Sequence, residues 1–251
     1  MKEIFLLRHG ETEWNRLGLG QGSRNDTELN ETGIEQSELT GNYLRDYKAK
    51  EGPFDLILCS PLKRTKKTAE IIAKKINYQN KIIYLNELVE RDKGLISIGI
   101  PKAELRKNPF YYDYFTYCDK IKDDDNLSEN NKNYINGICK KYKYEPNENM
   151  KKRINYIINY IKNIDAKKIL IVSHGGTIKT MVYMMSGIKP IHNYKYCRNC
   201  HLTYFLYKNN NFELLYHPNT LHFGLYGKDY INERDDNVYD VYNEVYKRED
   251  D

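Results

Sequence analysis

Short apolar runs alternate with segments of helical periodicity along most of this chain, and this alternation constrains the fold more than any other feature. The predicted strands are residues 4–7, 55–59, 82–85, 169–172, 202–207 and 212–216. The predicted helices are residues 32–47, 63–76, 150–164 and 177–185. Because such alternation favours a mainly parallel sheet with helices on both faces, we expect an α/β fold, a three-layer α/β/α sandwich.

The domain organisation follows from length and local composition. The last two predicted strands are four residues apart, which is typical of a C-terminal hairpin. Residues 1–225 are predicted to form one domain, since 251 residues with 40% hydrophobic side chains can bury an ordinary core. Within it, residues 108–149 are expected to be an insertion, part helix and part loop. Residues 226–251 form an acidic tail, for which a docked helix and disorder both stay open.

The composition excludes a transmembrane helix and indicates a reducing compartment. The mean hydropathy is −0.80, and no apolar run approaches the ~18 residues that a membrane span needs. Five cysteines, an odd number at irregular spacing, argue against a disulfide framework. The first residues resemble a strand rather than a targeting signal, so we expect a cytoplasmic location.

Charge is unevenly distributed along the chain. The net charge is +5, but residues 226–251 hold four basic and nine acidic side chains, net −5, which leaves +10 on the rest. Such a basic body attracts anions. Nucleic acid, a membrane surface and small phosphorylated molecules are all compatible with this charge, and composition does not choose among them.

Three polar clusters each follow a predicted strand directly. They are Arg-His-Gly-Glu-Thr at residues 8–12, Ser-Pro-Leu-Lys-Arg at 60–64 and Ser-His-Gly-Gly at 173–176. The carboxyl ends of parallel strands share one edge of a sheet, so these clusters can converge there. Guanidinium groups donate paired hydrogen bonds to phosphate oxygens, and the glycines allow the backbone to approach closely. One histidine can attack phosphorus while the other stabilises the charge on the transferring oxygens.

The order and spacing of these motifs resemble those of the histidine phosphatase superfamily, which comprises the phosphoglycerate mutase-like proteins. Within this superfamily, they are most similar to the phosphatase branch. The motifs are LLRHGETEWN at residues 6–15, QG at 21–22, CSPLKRTKKTAEI at 59–71, LVERDKG at 88–94 and IVSHGGTIK at 171–179. A lone Arg-His-Gly is a weak signal, but the ordered set at strand ends is specific.

The resemblance implies roles for individual residues. His9 is expected to be the nucleophile that becomes phosphohistidine, and Glu90 the acid that protonates the leaving oxygen and then deprotonates water. Glu87, on the same loop, stays open as an alternative to Glu90. No metal is expected, because fixed cations take the electrostatic role. The remaining expected residues are Arg8, Arg64 and His174 in the phosphate pocket, and Asn15, Gln21, Gly22 and Gly175 in substrate binding.

Phosphatases and mutases of this family share the phosphohistidine step and differ in the acceptor of the phosphoryl group. Its mutases carry Gly-Trp where this chain has Gln21-Gly22, and a Trp-Arg-Arg segment that is not visible here. We therefore expect a phosphomonoester phosphatase that requires no cofactor. The alternative is a phosphoglycerate mutase that depends on 2,3-bisphosphoglycerate, and a third interpretation is a catalytically idle relative that serves as a binding module.

The expected partner is a small phosphorylated substrate or a phosphoprotein. Binding to nucleic acid or to a membrane is not expected, and whether the chain forms a homodimer stays open. Lysines and tyrosines interleave at residues 140–144, but a solvated insertion explains them more simply than a nucleic-acid surface. Cys197, Cys200 and His201 have the spacing of a c-type haem attachment, for which chance is the favoured explanation. The sequence therefore predicts no metal site.

Overall fold

The computed structural model describes residues 1–48, 52–94, 98–101, 104, 128–187, 198–219 and 223. Its strands are β1 (Lys2–Arg8), β2 (Leu56–Cys59), β3 (Ile83–Tyr84), β4 (Lys168–Ser173), β5 (Leu202–Lys208) and β6 (Asn211–Asn219). Its α-helices are α1 (Glu13–Arg16), α2 (Glu31–Tyr43), α3 (Lys63–Lys75), α4 (Glu129–Tyr142), α5 (Asn147–Asn163) and α6 (Gly175–Ser186). A π-helical segment, Leu44–Lys48, continues α2, and a 3₁₀ turn, Asn86–Leu88, follows β3.

The strands form a six-stranded sheet in the order β3-β2-β4-β1-β5-β6. The first four strands in this order are mutually parallel. Strand β5 lies antiparallel to β1, and β6 antiparallel to β5. Asn209 and Asn210 connect β5 to β6 with positive φ angles of 53° and 64°, as a two-residue type I′ hairpin turn requires. The predicted parallel sheet with a C-terminal hairpin is therefore confirmed.

Helices cover both faces of the sheet because successive residues of each strand point to opposite sides. In β1, Ile4 and Leu6 pack with the apolar face of α5 and α6, whereas Phe5 and Leu7 pack on the other side. There the partners include Ala69 of α3 and the end of α2. The three-layer sandwich is thus confirmed, and its two cores leave the carboxyl edge of the sheet to polar residues.

Two helices lie outside the predicted set. Helix α1 has four residues, too few for a periodic signal, and is capped at its N-terminus by Thr12, whose hydroxyl accepts a hydrogen bond from the Asn15 N–H. Helix α4 lies within the stretch 108–149 that was expected to be part helix, of which the structure describes residues 128–149. The acidic tail, residues 226–251, lies outside the described residues. None of the helices that the structure describes combines the length and apolar character that a membrane crossing requires.

Candidate active site

The ends of β1, β2 and β4 meet at one edge of the sheet. Strands β1 and β4 pair Arg8 with Ser173, and the His9 N–H donates to the Ser173 carbonyl at 3.0 Å. On the other side of β4, the Ser60 N–H donates to the Val172 carbonyl, also at 3.0 Å. The three predicted polar clusters therefore converge, as the parallel topology requires.

His9 lies at the centre of this edge with 3% of its surface exposed. Its Nδ1 lies 2.7 Å from the Gly10 carbonyl. Because a carbonyl can only accept, Nδ1 carries the proton and Nε2 keeps its lone pair. Burial lowers the pKa of His9 well below its usual range, and the charges of Arg64 and Arg8 lower it further. At neutral pH the ring is uncharged, with Nε2 available as a nucleophile.

His174 lies beside His9, with ring centroids 5.2 Å apart and the rings inclined at 60°. Its Nε2 lies 2.8 Å from the Ser60 hydroxyl. Its Nδ1 is buried and has no hydrogen-bond partner among the described residues. Burial lowers the pKa of His174 well below its usual range, and nearby guanidinium groups, Arg64 first, lower it further. The second histidine is therefore also neutral at pH 7.

Arg64 supplies a buried cation from the first turn of α3. It is 1% exposed, and its two terminal nitrogens donate to the carbonyls of Asn25 (2.7 Å) and Gly22 (2.9 Å). Burial lowers the pKa of Arg64 to about 10, although the charge of Glu90 opposes this shift. Arg64 thus stays charged at neutral pH and is held by two neutral backbone carbonyls.

Glu90 faces this cationic cluster. Its carboxylate accepts hydrogen bonds from the N–H of Arg91 (2.8 Å) and of Gly176 (3.1 Å). Burial alone would raise the pKa of Glu90, but the charge of Lys93, the two N–H donors and the charge of Arg64 lower it, so that the net shift is downward. Without a bound anion, Glu90 is therefore ionised at neutral pH.

Gly176 permits the contact between Glu90 and α6. Gly175 is the first residue of this helix, and Gly176 is the residue against which the carboxylate packs. A Cβ on Gly176 would lie 2.5 Å from Glu90 Oε1. Glu87, the alternative acid, lies in the 3₁₀ turn that precedes Glu90. The contact with the N-terminus of α6 thus favours Glu90 over Glu87 for the acid role.

Asn15 and Gln21 belong to a polar network around Thr12. Asn15 Oδ1 accepts from the Thr12 N–H (3.2 Å) and from Asn199 Nδ2 (3.1 Å). Gln21 Nε2 donates to the Thr12 hydroxyl at 2.7 Å, while its Oε1 accepts from the Thr27 hydroxyl at 3.1 Å. Both side chains therefore have structural partners, and their contact with substrate oxygens stays a prediction.

Two residues beside the site were missed by the sequence reasoning. Lys93 belongs to the quoted LVERDKG motif, and burial lowers its pKa, against the charge of Glu90, which raises it. Asn199 also donates to the His9 carbonyl at 3.0 Å, from the turn before β5. The LVERDKG motif, which contains Glu90, offered a signal for the lysine. No local pattern pointed to Asn199, because its contact spans 190 positions of the chain.

The Cys-x-x-Cys-His segment has ordinary structural contacts where it is described. Cys197 lies outside the described residues. The Cys200 thiol lies 4.0 Å from the Ser37 hydroxyl, and His201 Nδ1 accepts the Arg198 N–H at 2.9 Å. Among the described residues, no group of three histidine, cysteine or acidic side chains could hold a metal ion. The expectation that no metal is required stays a prediction.

The fold and this edge together define a three-layer α/β protein with two neutral histidines, a buried guanidinium and a carboxylate at the ends of parallel strands. A model of the histidine phosphatase superfamily (branch 1) matches residues 4–220. The chain therefore belongs to this superfamily.

Individual relatives include phosphatases and a mutase. The chain is 33% identical over 191 residues to the uncharacterized phosphatase PhoE of Bacillus subtilis, which covers 76% of this chain and 80% of the relative. It is 28% identical over 196 residues to phosphoglycerate mutase of Schizosaccharomyces pombe, covering 74% and 80%. A mutant phosphoserine phosphatase from Entamoeba histolytica, solved with phosphoserine, is 27% identical with a TM-score of 0.64, covering 88% of this chain and 99% of that one.

Proposed function

We propose that this protein is a phosphomonoester phosphatase that works through a phosphohistidine on His9. One observation carries the proposal: the 2.7 Å hydrogen bond from Nδ1 to the Gly10 carbonyl holds a neutral ring with an unprotonated Nε2 at an edge rich in cations. A neutral imidazole nitrogen is a competent nucleophile, and cations around it attract a phosphate dianion.

In the first step, the Nε2 lone pair of His9 forms a bond to phosphorus as the bond to the ester oxygen breaks. The leaving oxygen takes a proton from Glu90. A phosphate dianion beside Glu90 opposes ionisation and raises the pKa of this carboxyl on binding, which supplies that proton. In the second step, Glu90 takes a proton from water, the water oxygen bonds to phosphorus, and the electron pair of the N–P bond returns to Nε2.

The charge on the transferring oxygens is stabilised by Arg8, Arg64 and His174. The Nε of Arg64 and the Nδ1 of His174 are both buried without a hydrogen-bond partner among the described residues. The tautomer in which Ser60 donates to Nε2 leaves Nδ1–H as a donor for a phosphate oxygen. These fixed donors stabilise the charge that a metal ion would otherwise stabilise, so the proposed reaction requires neither a metal nor a cofactor.

Hydrolysis is favoured over mutase activity, in which the phosphoryl group passes to an acceptor other than water, although the relatives include a mutase. This chain has Gln21-Gly22 and a single tryptophan, Trp14, in place of the Gly-Trp and Trp-Arg-Arg segments of the family's mutases. A small phosphorylated molecule is the proposed substrate class, with a phosphoprotein as the larger alternative. A homodimer that binds neither nucleic acid nor membrane is the proposed assembly.

The proposal is tested by p-nitrophenyl phosphate hydrolysis beside 3-phosphoglycerate isomerisation, with and without 2,3-bisphosphoglycerate. We expect hydrolysis that is insensitive to EDTA, with negligible isomerisation. Isomerisation that depends on the bisphosphate and far exceeds hydrolysis would make the protein a mutase. Absence of both activities, in protein that still binds inorganic phosphate, would favour a binding module.

Gly176→Ala is expected to reduce kcat/KM for an alkyl phosphate by at least about tenfold, because small displacements of a catalytic group are costly. The new methyl group would meet Glu90 Oε1 and displace the carboxylate. Gly137→Ala in α4 is the matched control, since nothing lies within 4 Å of a Cβ built there. Equal rates for the two variants would contradict the placement of the Glu90 carboxylate against α6.

A further inference from the structure

Arg153, which projects from α5, holds the backbone immediately before Glu90. Its Nη1 donates to the carbonyl of Glu87 at 2.6 Å and to the carbonyl of Val89 at 2.8 Å. One planar group thus fixes two peptide units, one of them adjacent to Glu90, across more than 60 positions of the chain. Arg153 lies outside every motif that identified the site.

Short hydroxyl side chains from β4 and α6 also hold this backbone. The Ser173 hydroxyl donates to the Leu88 carbonyl, and the Thr177 hydroxyl to the Val89 carbonyl, each at 2.7 Å. With Arg153, the three carbonyls that precede Glu90 all have side-chain donors. Backbone held at consecutive peptides has little freedom to shift its next side chain.

Arg153 is itself fixed by Glu145, and Glu145 also holds the backbone after Glu90. The guanidinium donates through Nε to Oε1 (2.7 Å) and through Nη2 to Oε2 (3.1 Å) of Glu145, and each side chain is 14% exposed. Glu145 Oε2 also accepts the Asp92 N–H at 3.2 Å, while the Glu145 N–H donates to the Asp92 carbonyl at 2.8 Å. The Arg153–Glu145 pair therefore clamps the chain on both sides of Glu90.

We propose that Arg153 is a positioning residue for proton transfer by Glu90, an inference that rests on the proposed function. The clamp keeps the Glu90 carboxylate against the Gly176 N–H and at a fixed distance from the leaving oxygen. Glu145 lies near the end of the stretch 108–149, so one residue of this stretch contributes to the acid step through Arg153. Proton transfer is sensitive to such small displacements.

The leaving group of the substrate separates a positioning role from a general structural role. An alkoxide needs the proton of Glu90 to leave, whereas p-nitrophenolate leaves without one. The parameter kcat/KM reports the steps through alcohol release, so it excludes hydrolysis of the phosphoenzyme. The ratio of kcat/KM for p-nitrophenyl phosphate to kcat/KM for glycerol 2-phosphate does not depend on the folded fraction of a preparation.

We would measure this ratio for wild type, Arg153→Lys, Arg153→Met and the control Lys152→Met, which changes an exposed residue of the same helix. A lysine ammonium cannot reproduce the planar fork that holds two carbonyls and a carboxylate. We expect the ratio to rise about tenfold or more in both Arg153 variants and to stay at the wild-type value in the control. Glu90→Gln serves as the reference for complete loss of the acid.

An unchanged ratio in Arg153→Lys, together with a raised ratio in Glu90→Gln, would overturn the inference and leave the proposed function intact. Equal losses on both substrates would assign Arg153 a structural role only. By contrast, wild-type protein that hydrolyses neither substrate and forms no phosphoenzyme would overturn the proposed function itself. If Arg153→Met does not fold, Arg153→Lys decides, because it keeps a cation beside Glu145.

Discussion

His9→Ala is expected to abolish phosphomonoester hydrolysis, with a loss in kcat of at least about 10⁴-fold, the scale seen when a catalytic nucleophile is removed. Neither Arg8 nor Arg64 can replace the Nε2 lone pair, since a guanidinium group donates hydrogen bonds and has no lone pair with which to attack phosphorus. The measurement is initial-rate hydrolysis of p-nitrophenyl phosphate. A second measurement, trapping with radiolabelled substrate, should give a phosphoenzyme that is labile to acid in wild type and none in the variant.

The loss of turnover in His9→Ala must be distinguished from a loss of its fold or its anion pocket. The variant removes a buried ring but leaves Arg64 and its carbonyl partners in place, so inorganic phosphate should still raise the unfolding temperature. Turnover retained in a preparation free of contaminating phosphatase would contradict the assignment of His9 as nucleophile. Loss of both turnover and phosphate stabilisation would instead point to a disrupted pocket.

Glu90→Gln is expected to reduce kcat/KM for alkyl phosphates by about 10² to 10⁴-fold, the usual contribution of general acid catalysis. Glutamine can still accept one of the hydrogen bonds from Arg91 and Gly176, but it has no acidic proton to give to the leaving oxygen. The loss in kcat/KM should be smaller for p-nitrophenyl phosphate. Phosphoenzyme should then accumulate when p-nitrophenyl phosphate is the substrate, because hydrolysis of the phosphohistidine also needs Glu90 as a base.

Glu87→Gln is the matched control for Glu90→Gln. It makes the same chemical change three residues earlier, in the turn Asn86–Leu88, and it leaves in place the backbone carbonyl of Glu87 that accepts a hydrogen bond from Arg153. Its rates should equal those of wild type on both substrates. The reverse result, in which Glu87→Gln loses alkyl phosphate hydrolysis and Glu90→Gln retains it, would reassign the acid to Glu87.

Much of the fold was predictable because burial leaves a periodic signal in the sequence. All six predicted strands exist, and their observed ends lie within a few residues of the expected ones, as for β4, predicted at residues 169–172 and observed at Lys168–Ser173. The four predicted helices also exist. Helix α1 was missed because one turn of helix gives no periodicity, and its capping by Thr12 is visible only in the structure.

The site was predictable where its residues stand next to strand ends. His9, Ser60 and His174 follow β1, β2 and β4 directly, so the order of the strands was sufficient to bring them together. The stretch 105–127 and the tail 226–251 lie outside the described residues, so their expected roles as insertion and acidic tail stay predictions.

The sequence alone determined the α/β class, the shared edge of the site and the chemical type of its groups, because strand periodicity and local motifs record burial and residue chemistry directly. Only the tertiary structure decided which groups touch. The hydrogen bond from Gly176 to Glu90, the Asn199 contact with His9 and the hold of Arg153 and Glu145 on the acid loop each join segments far apart in the chain. Such contacts depend on how helices dock on the sheet, which local sequence patterns do not encode.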